Sequence, residues 1–157
     1  MAASSADKDY AHLTAAALNA QPQIVNVPWE GSYWDFDYSQ LAPYENWADI
    51  VVIEFGENID PTSDLTKLPD AMAKLVQFAG QGKPTYVISS WWPYTPIDDA
   101  MKQGAEQAGA TFVMLPAYDP SIYYASTFSD PGVAMHPNDA GMQLIANTLL
   151  AAMKPAN

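Results

Sequence analysis

Residues 50–53 read Ile-Val-Val-Ile, four β-branched side chains in succession between Asp49 and Glu54-Phe55. Such side chains are stiff at χ1 and suit a pleated strand better than a helix. A run without polar alternation offers no face to water, so the strand must be buried on both sides, as in a parallel sheet. Parallel neighbours need crossovers of about a dozen residues or more, usually helical. The rest of the chain has to supply them.

It does so in alternation. Strands are expected at 23–27, 49–55, 85–90 and 111–115, each a short apolar run closed by Gly, Pro or a polar turn. Helices are expected at 7–19, 68–78, 97–108 and 142–153, where apolar residues recur at helical spacing. Ser4, Ser5 or Asp7 can cap the first, and single helical turns fit 38–41 and 121–125. Strand–helix alternation predicts the α/β class with a mostly parallel sheet. No repeat or linker divides the 157 residues, so one domain is expected over 1–157. In such sheets ligands sit at the carboxyl ends of the strands. The loops at 29–31, 56–58, 91–94 and around His136 are therefore expected to converge on one edge.

Composition narrows the partners. Six lysines, no arginine and 18 acidic residues leave a net charge of −12. That balance opposes nucleic acid and anionic membranes, whose phosphates need cationic partners. It favours a neutral or cationic small molecule. Zero cysteines removes disulfides, thiolate metal sites and cysteine nucleophiles together. Two histidines far apart make a metal site unexpected, and no cofactor is implied. No apolar run reaches the roughly 18 residues of a membrane span. Residues 1–9 show no basic-then-apolar leader, and the compartment stays unassigned.

His136 stands on a Pro/Gly-rich loop before the last helix, where a catalytic base is commonly presented. A base needs an acceptor to orient its ring, and Asp130 is the nearest candidate in sequence. Asp130 fits equally as the turn residue of Ser-Asp-Pro-Gly. Asp139 suits the positive end of the last helix. Gly56-Glu57-Asn58 follows the buried strand and can offer a backbone N–H and a side-chain amide to a developing oxyanion. The same tripeptide fits an ordinary turn. Gly31, also in a loop after a strand, is a second candidate oxyanion donor.

Residues 49–58, DIVVIEFGEN, and 136–149, HPNDAGMQLIANTL, together resemble the later half of an SGNH/GDSL-type serine hydrolase. Gly56-Glu57-Asn58 matches the family's Gly-x-Asn block, with Ile59 where aspartate is frequent. His136-Pro137 matches the block that carries the catalytic histidine, and Gly31 falls near the oxyanion glycine. Residues 4–20 are similar to the family's first helix. The resemblance implies a three-layer α/β/α, flavodoxin-like sheet, a Ser–His mechanism without metal or cofactor, and oxyanion donors at Gly31 and Asn58. It implies His136 as the base.

The chain departs from the pattern twice. Val133 stands three residues before His136, where the family has aspartate; Asp130 stands six before. No Gly-Asp-Ser block and no strand precede the first helix, so the chain reads as the family domain without its N-terminal strand and serine. Ser4 and Ser5 read as helix caps, and Ser32 is the next hydroxyl candidate. A missing strand would expose sheet edges, which a homodimer could cover.

Eleven aromatic residues fall largely in expected loops, among them Trp29, Tyr33, Trp34, Phe36, Tyr118, Tyr123 and Tyr124. About half are expected to be core residues. Trp91, Trp92 and Tyr94 follow a strand and are the candidate substrate-binding surface, suited to sugar faces or an acyl chain. The leading expectation is an ester hydrolase acting on acyl esters, carbohydrate-linked acetyl among them. The alternative is an inactive relative that binds carbohydrate through its aromatic loops. In a third reading His136 with Asp130 or Glu57 activates water directly.

Overall fold

The computed structural model describes residues 2–154. Along the chain come α1 (Tyr10–Ala17), β1 (Val51–Glu54), α2 (Leu68–Gly80), β2 (Thr85–Ile88), α3 (Thr95–Gln107), β3 (Thr111–Val113), α4 (Pro120–Tyr123), α5 (Pro131–Ala134) and α6 (Asp139–Ala152). The three strands form one parallel sheet in the order β1-β2-β3. Ile53 pairs with Val87, and Val87 with Phe112. The fold is a small α/β fold. Two compact units carry it, Met1–Val25 with Leu115–Asn157, and Asn26–Met114.

The second unit holds the sheet and its two crossover helices. Leu68, Ala71, Met72, Leu75 and Val76 of α2 are all buried, at the spacing that makes one face of a helix. Ile97, Met101, Gly104 and Ala105 do the same for α3. The two helices pack directly on one another. At their crossing Gly104 has no room for a side chain, because a Cβ there would collide with the Pro69 carbonyl and crowd Met72 Cβ. Trp29, Tyr33 and Phe36, read from sequence as loop aromatics, belong to this core at 0, 3 and 7% exposure. An aromatic loop lies against the unit as a wall of its core.

The first unit is helical, with α1 packed on α6. Its α1 is shorter than the expected 7–19, and its cap is Asp9, whose Oδ1 accepts from His12 N at 2.9 Å. Ser5 makes no capping bond. Asn138 caps α6 by accepting from Gly141 N.

Residues 23–27 form no strand. Ile24 is 56% exposed, and no described backbone pairs with the segment. A β-branched run between Pro22 and Pro28 has strand propensity, but a strand needs a partner to satisfy its amides. Among the described residues no helix is long and apolar enough to cross a membrane.

Candidate functional site

At the end of β1 the chain reverses through Gly56, whose φ of +127° is open to glycine and strained for any other residue. The reversal points two backbone amides and one side-chain amide at a single carboxylate. Glu30 Oε1 accepts from Gly56 N at 2.6 Å and from Asn58 N at 3.0 Å. Its Oε2 accepts from Asn58 Nδ2 at 2.8 Å. Three N–H groups on one anion are the arrangement by which a protein holds an oxyanion without a metal or a lysine. Asn58 thus sits in a set of N–H donors that meet the Glu30 carboxylate. Gly31 lies beside it in an exposed turn where Ser32 N donates to Trp29 O, and it is the Glu30 side chain that meets the Asn58 donors.

Two further carboxyl groups stand close by. Glu57 Oε1 accepts from Trp91 N at 2.5 Å, tying the loop after β2 to the loop after β1. Glu54 hydrogen-bonds Glu57, so the pair shares a proton. Solvent reaches Glu54, yet protein surrounds it on most sides. Burial first, then the negative charge and hydrogen bond of Glu57, then the charge of Glu30, hold the Glu54 carboxyl well above the usual carboxylate range. Water that still touches the side chain screens part of this. Burial also raises Glu57, but the Trp91 N–H and the hydrogen bond from Glu54 favour its charged form. Of the two, Glu54 is pushed further toward its neutral form. The spacing 54–57 gave no sign of this, because at a strand end it puts the two on opposite faces. Only the turn at Gly56 brings them together.

Beneath the same edge, Asp98 is 2% exposed and its Oδ1 accepts from Ser90 N and Ser90 Oγ, each at 2.9 Å. Burial raises the Asp98 carboxyl and the Ser90 bonds oppose that rise. The pair fastens the loop after β2 onto α3. Trp91 is 4% exposed, so its ring is part of the interior and offers no open platform. Trp92 is half-buried, and Tyr94 is 41% exposed with its hydroxyl 3.4 Å from Pro61 O. The most exposed aromatic rings of this unit are Trp34, Trp47 and Phe78, at 55, 50 and 50% exposure.

His136 and Asp130 belong to the first unit. His136 is exposed between α5 and α6, and its Nδ1 lies 2.6 Å from Gly132 O. A carbonyl can only accept, so Nδ1 carries the proton and Nε2 is the basic nitrogen. Asp130, expected to orient this ring, is instead the cap of α5, its Oδ1 accepting from Gly132 N at 2.8 Å and from Val133 N at 3.4 Å. Asp-Pro at a helix start is a capping signal, since Pro131 takes the first helical position. The backbone of the turn that Asp130 caps orients the imidazole.

A second Asp–His contact was not anticipated. Asp9 Oδ2 lies 2.8 Å from His12 Nδ1 while Asp9 Oδ1 caps α1. The Asp-x-x-His spacing at a helix start was the available signal. Ser4 donates its N and Oγ to Asp139, each at 2.7 Å, and Lys8 Nζ reaches the same carboxylate at 3.0 Å. Those donors, the Ser4 N–H foremost, pull the Asp139 carboxyl down to about 2. Ser32 Oγ is 3.4 Å from Pro28 O. Among the described residues no group of three or more His, Asp or Glu side chains is placed to hold a metal ion.

Comparison with protein-family models, with curated proteins and with solved structures finds no match to this chain.

Proposed function

We propose that this chain is an ester hydrolase of the SGNH type that acts on acyl esters, with carbohydrate-linked acetyl groups as one substrate class. The observation that carries the reading is the donor set at the end of β1: Gly56 N, Asn58 N and Asn58 Nδ2 converge on one carboxylate. A carboxylate is planar and carries its charge on two oxygens, so it is an imperfect but usable stand-in for the oxyanion of acyl transfer. Donors fixed at 2.6 to 3.0 Å cost no reorganisation when charge develops on the carbonyl oxygen. The finer architecture, three layers in the flavodoxin-like order, is part of the same reading and is supported by the parallel strands with helical crossovers.

In this reading His136 is the base. Its Nδ1–H is held by the Gly132 carbonyl, which leaves Nε2 to take a proton from the attacking hydroxyl and return it to the leaving alcohol. Water then cleaves the acyl-enzyme by the same route in reverse. Ser4 does not fit the attacking role while both its N–H and its hydroxyl serve Asp139.

A specific observation favours a second reading, a carbohydrate-binding relative without chemistry. The donor set is filled by the protein's own Glu30. One assay separates them: hydrolysis of p-nitrophenyl acetate by the wild-type chain, His136→Ala and Asn58→Ala. The hydrolase reading expects turnover by the wild type and a loss of about 10²-fold or more in kcat for Asn58→Ala, with His136→Ala near background. Background rates from all three chains refute it. Quenching of Trp34 and Trp47 fluorescence by oligosaccharides then tests the second.

A further inference from the structure

Glu30 is held in an unusual way for a half-buried carboxylate. Its partners are three N–H groups and no cation, for among the described ion pairs none involves Glu30. The Glu30 charge also acts unfavourably on both Glu54 and Glu57. Hydrogen bonds hold the side chain in while electrostatic repulsion pushes it out. The carboxylate behaves as a ligand would, and an intramolecular one.

The backbone is anchored on both sides of Glu30. Trp29 and Tyr33 are anchored in the core at 0 and 3% exposure, their ring centroids 5.8 Å apart. Between them Glu30-Gly31-Ser32 forms an outward turn, and a side chain built on Gly31 would meet nothing within 4 Å. Both anchors can stay in place while Glu30 changes rotamer. The amides it would release are fixed from below by the Gly56 turn, which is packed against Ser90 and Met101.

We propose that the Gly56–Asn58 amides are a carboxylate-binding subsite that Glu30 closes in the unliganded chain, and that a short-chain carboxylate or the acyl oxyanion of a substrate displaces it. The proposal rests on the reading of these amides as an oxyanion site, and it adds the gate. A tethered carboxylate competes at millimolar effective concentration or above, so the native chain resists small anions and opens only to a ligand with additional contacts.

The test uses the full chain, with sodium acetate as the probe and sodium chloride as the ionic control. Amide ¹H–¹⁵N resonances of Gly56, Asn58 and the Asn58 side chain are followed during titration. In Glu30→Ala they should shift saturably with acetate, at a concentration about tenfold or more below that needed by the wild type. Glu30→Gln keeps the size of the side chain and loses its charge; it should respond in the same direction, and it replaces Glu30→Ala if circular dichroism shows that variant unfolded. Equal responses to acetate and chloride in the folded variant overturn the proposal, as does saturation of the wild type at the same acetate concentration. Ester hydrolysis by the same variants is read separately. Acetate binding without turnover leaves the gate standing and sinks the hydrolase; turnover without acetate binding does the reverse.

Discussion

Asp139 in the first unit and Glu54 in the second are both carboxyl groups beside other polar side chains, yet they are pushed in opposite directions. Asp139 opens α6, where the helix dipole already favours an anion. The Ser4 N–H, the Ser4 hydroxyl and the Lys8 ammonium all stabilise its charge, and it falls to about 2. Glu54 closes a strand, with protein on most sides and Glu57 and Glu30 as its charged neighbours, and it rises well above the ordinary range. The difference is one of supply. The first unit spends its N–H donors and a lysine on a single solvated anion. The second places three carboxyl groups within reach of one another and gives the available N–H donors to Glu30 and Glu57, so Glu54 is pushed toward its neutral form. A carboxylate served by donors in solvent keeps its charge, whereas one crowded by like charges is pushed toward its neutral form.

The largest expected effect comes from removing the turn on which that crowding depends. A Cβ at Gly56 would sit 3.1 Å from Ser90 Cβ and 3.2 Å from Met101 Sδ, at a φ of +127°. Gly56→Ala should destabilise the chain by about 1–3 kcal/mol, which at this size lowers Tm by about 2–4 °C per kcal/mol. The same substitution should weaken the Glu54–Glu57 contact, so the fall in stability toward higher pH should shrink as well. Thermal melts of both chains at acid and neutral pH measure the two effects together. A loss of stability with an unchanged pH slope would mean that crowding at Glu54 does not depend on the turn.

That turn also marks where the sequence stopped being informative. The run at 50–53 predicted a parallel strand buried on both faces. Residues 51–54 do pair with 85–88 in parallel. Only Ile53 of that run is buried, however, and Ile50 is 39% exposed, because β1 is an edge of the three-stranded sheet. The α2 and α3 patterns were legible because one helix face is written in the residues of that helix alone. Residues 23–27 carried the same kind of local signal and form no strand, because pairing depends on a partner that local composition does not describe. The expected substrate surface met a similar limit. Trp91 has the loop position of a binding residue but lies in the interior, since large aromatic rings are also what a small core uses to fill space. The donor set was half legible. Gly56 and Asn58 were readable as N–H sources, while Glu30, 26 positions before Gly56, had nothing in its spacing to connect it with them. Asp130, read from sequence as the orienter of His136 or as a turn residue of Ser-Asp-Pro-Gly, makes neither that contact nor a plain turn but the cap of α5.

The intermediate effect tests Glu54 directly. Its value is raised on folding, so its contribution to stability is complete below the ordinary glutamate value of 4.5 and is lost as pH rises through the raised value. Glu54→Gln keeps an N–H donor toward Glu57 and removes the titration. The wild type should therefore lose Tm as pH rises above 4.5, and Glu54→Gln should lose less, ending as the more stable chain at neutral pH. A smaller slope should remain from Glu57, which is raised too. Parallel Tm curves for the two chains would contradict the upward shift of Glu54.

Asp139 should give the smallest effect and the opposite sign. Its value is lowered on folding, so its stabilising contribution is present above the ordinary 3.8 and is lost as pH falls toward about 2. Asp139→Asn should melt slightly below the wild type near neutral pH, and the two curves should meet as the solution is acidified through that window. Salt distinguishes the donors. The Lys8–Asp139 pair has 51 and 38% exposed side chains, so added salt should weaken its share. The two bonds from Ser4 are short-range and should persist; Ser4→Ala removes the hydroxyl bond and keeps the backbone one, so its small loss should be nearly independent of ionic strength. If salt alone erased the difference between wild type and Asp139→Asn, the tether would be ionic. The two carboxyl sites would then differ in their charged neighbours and not in their supply of N–H and O–H donors.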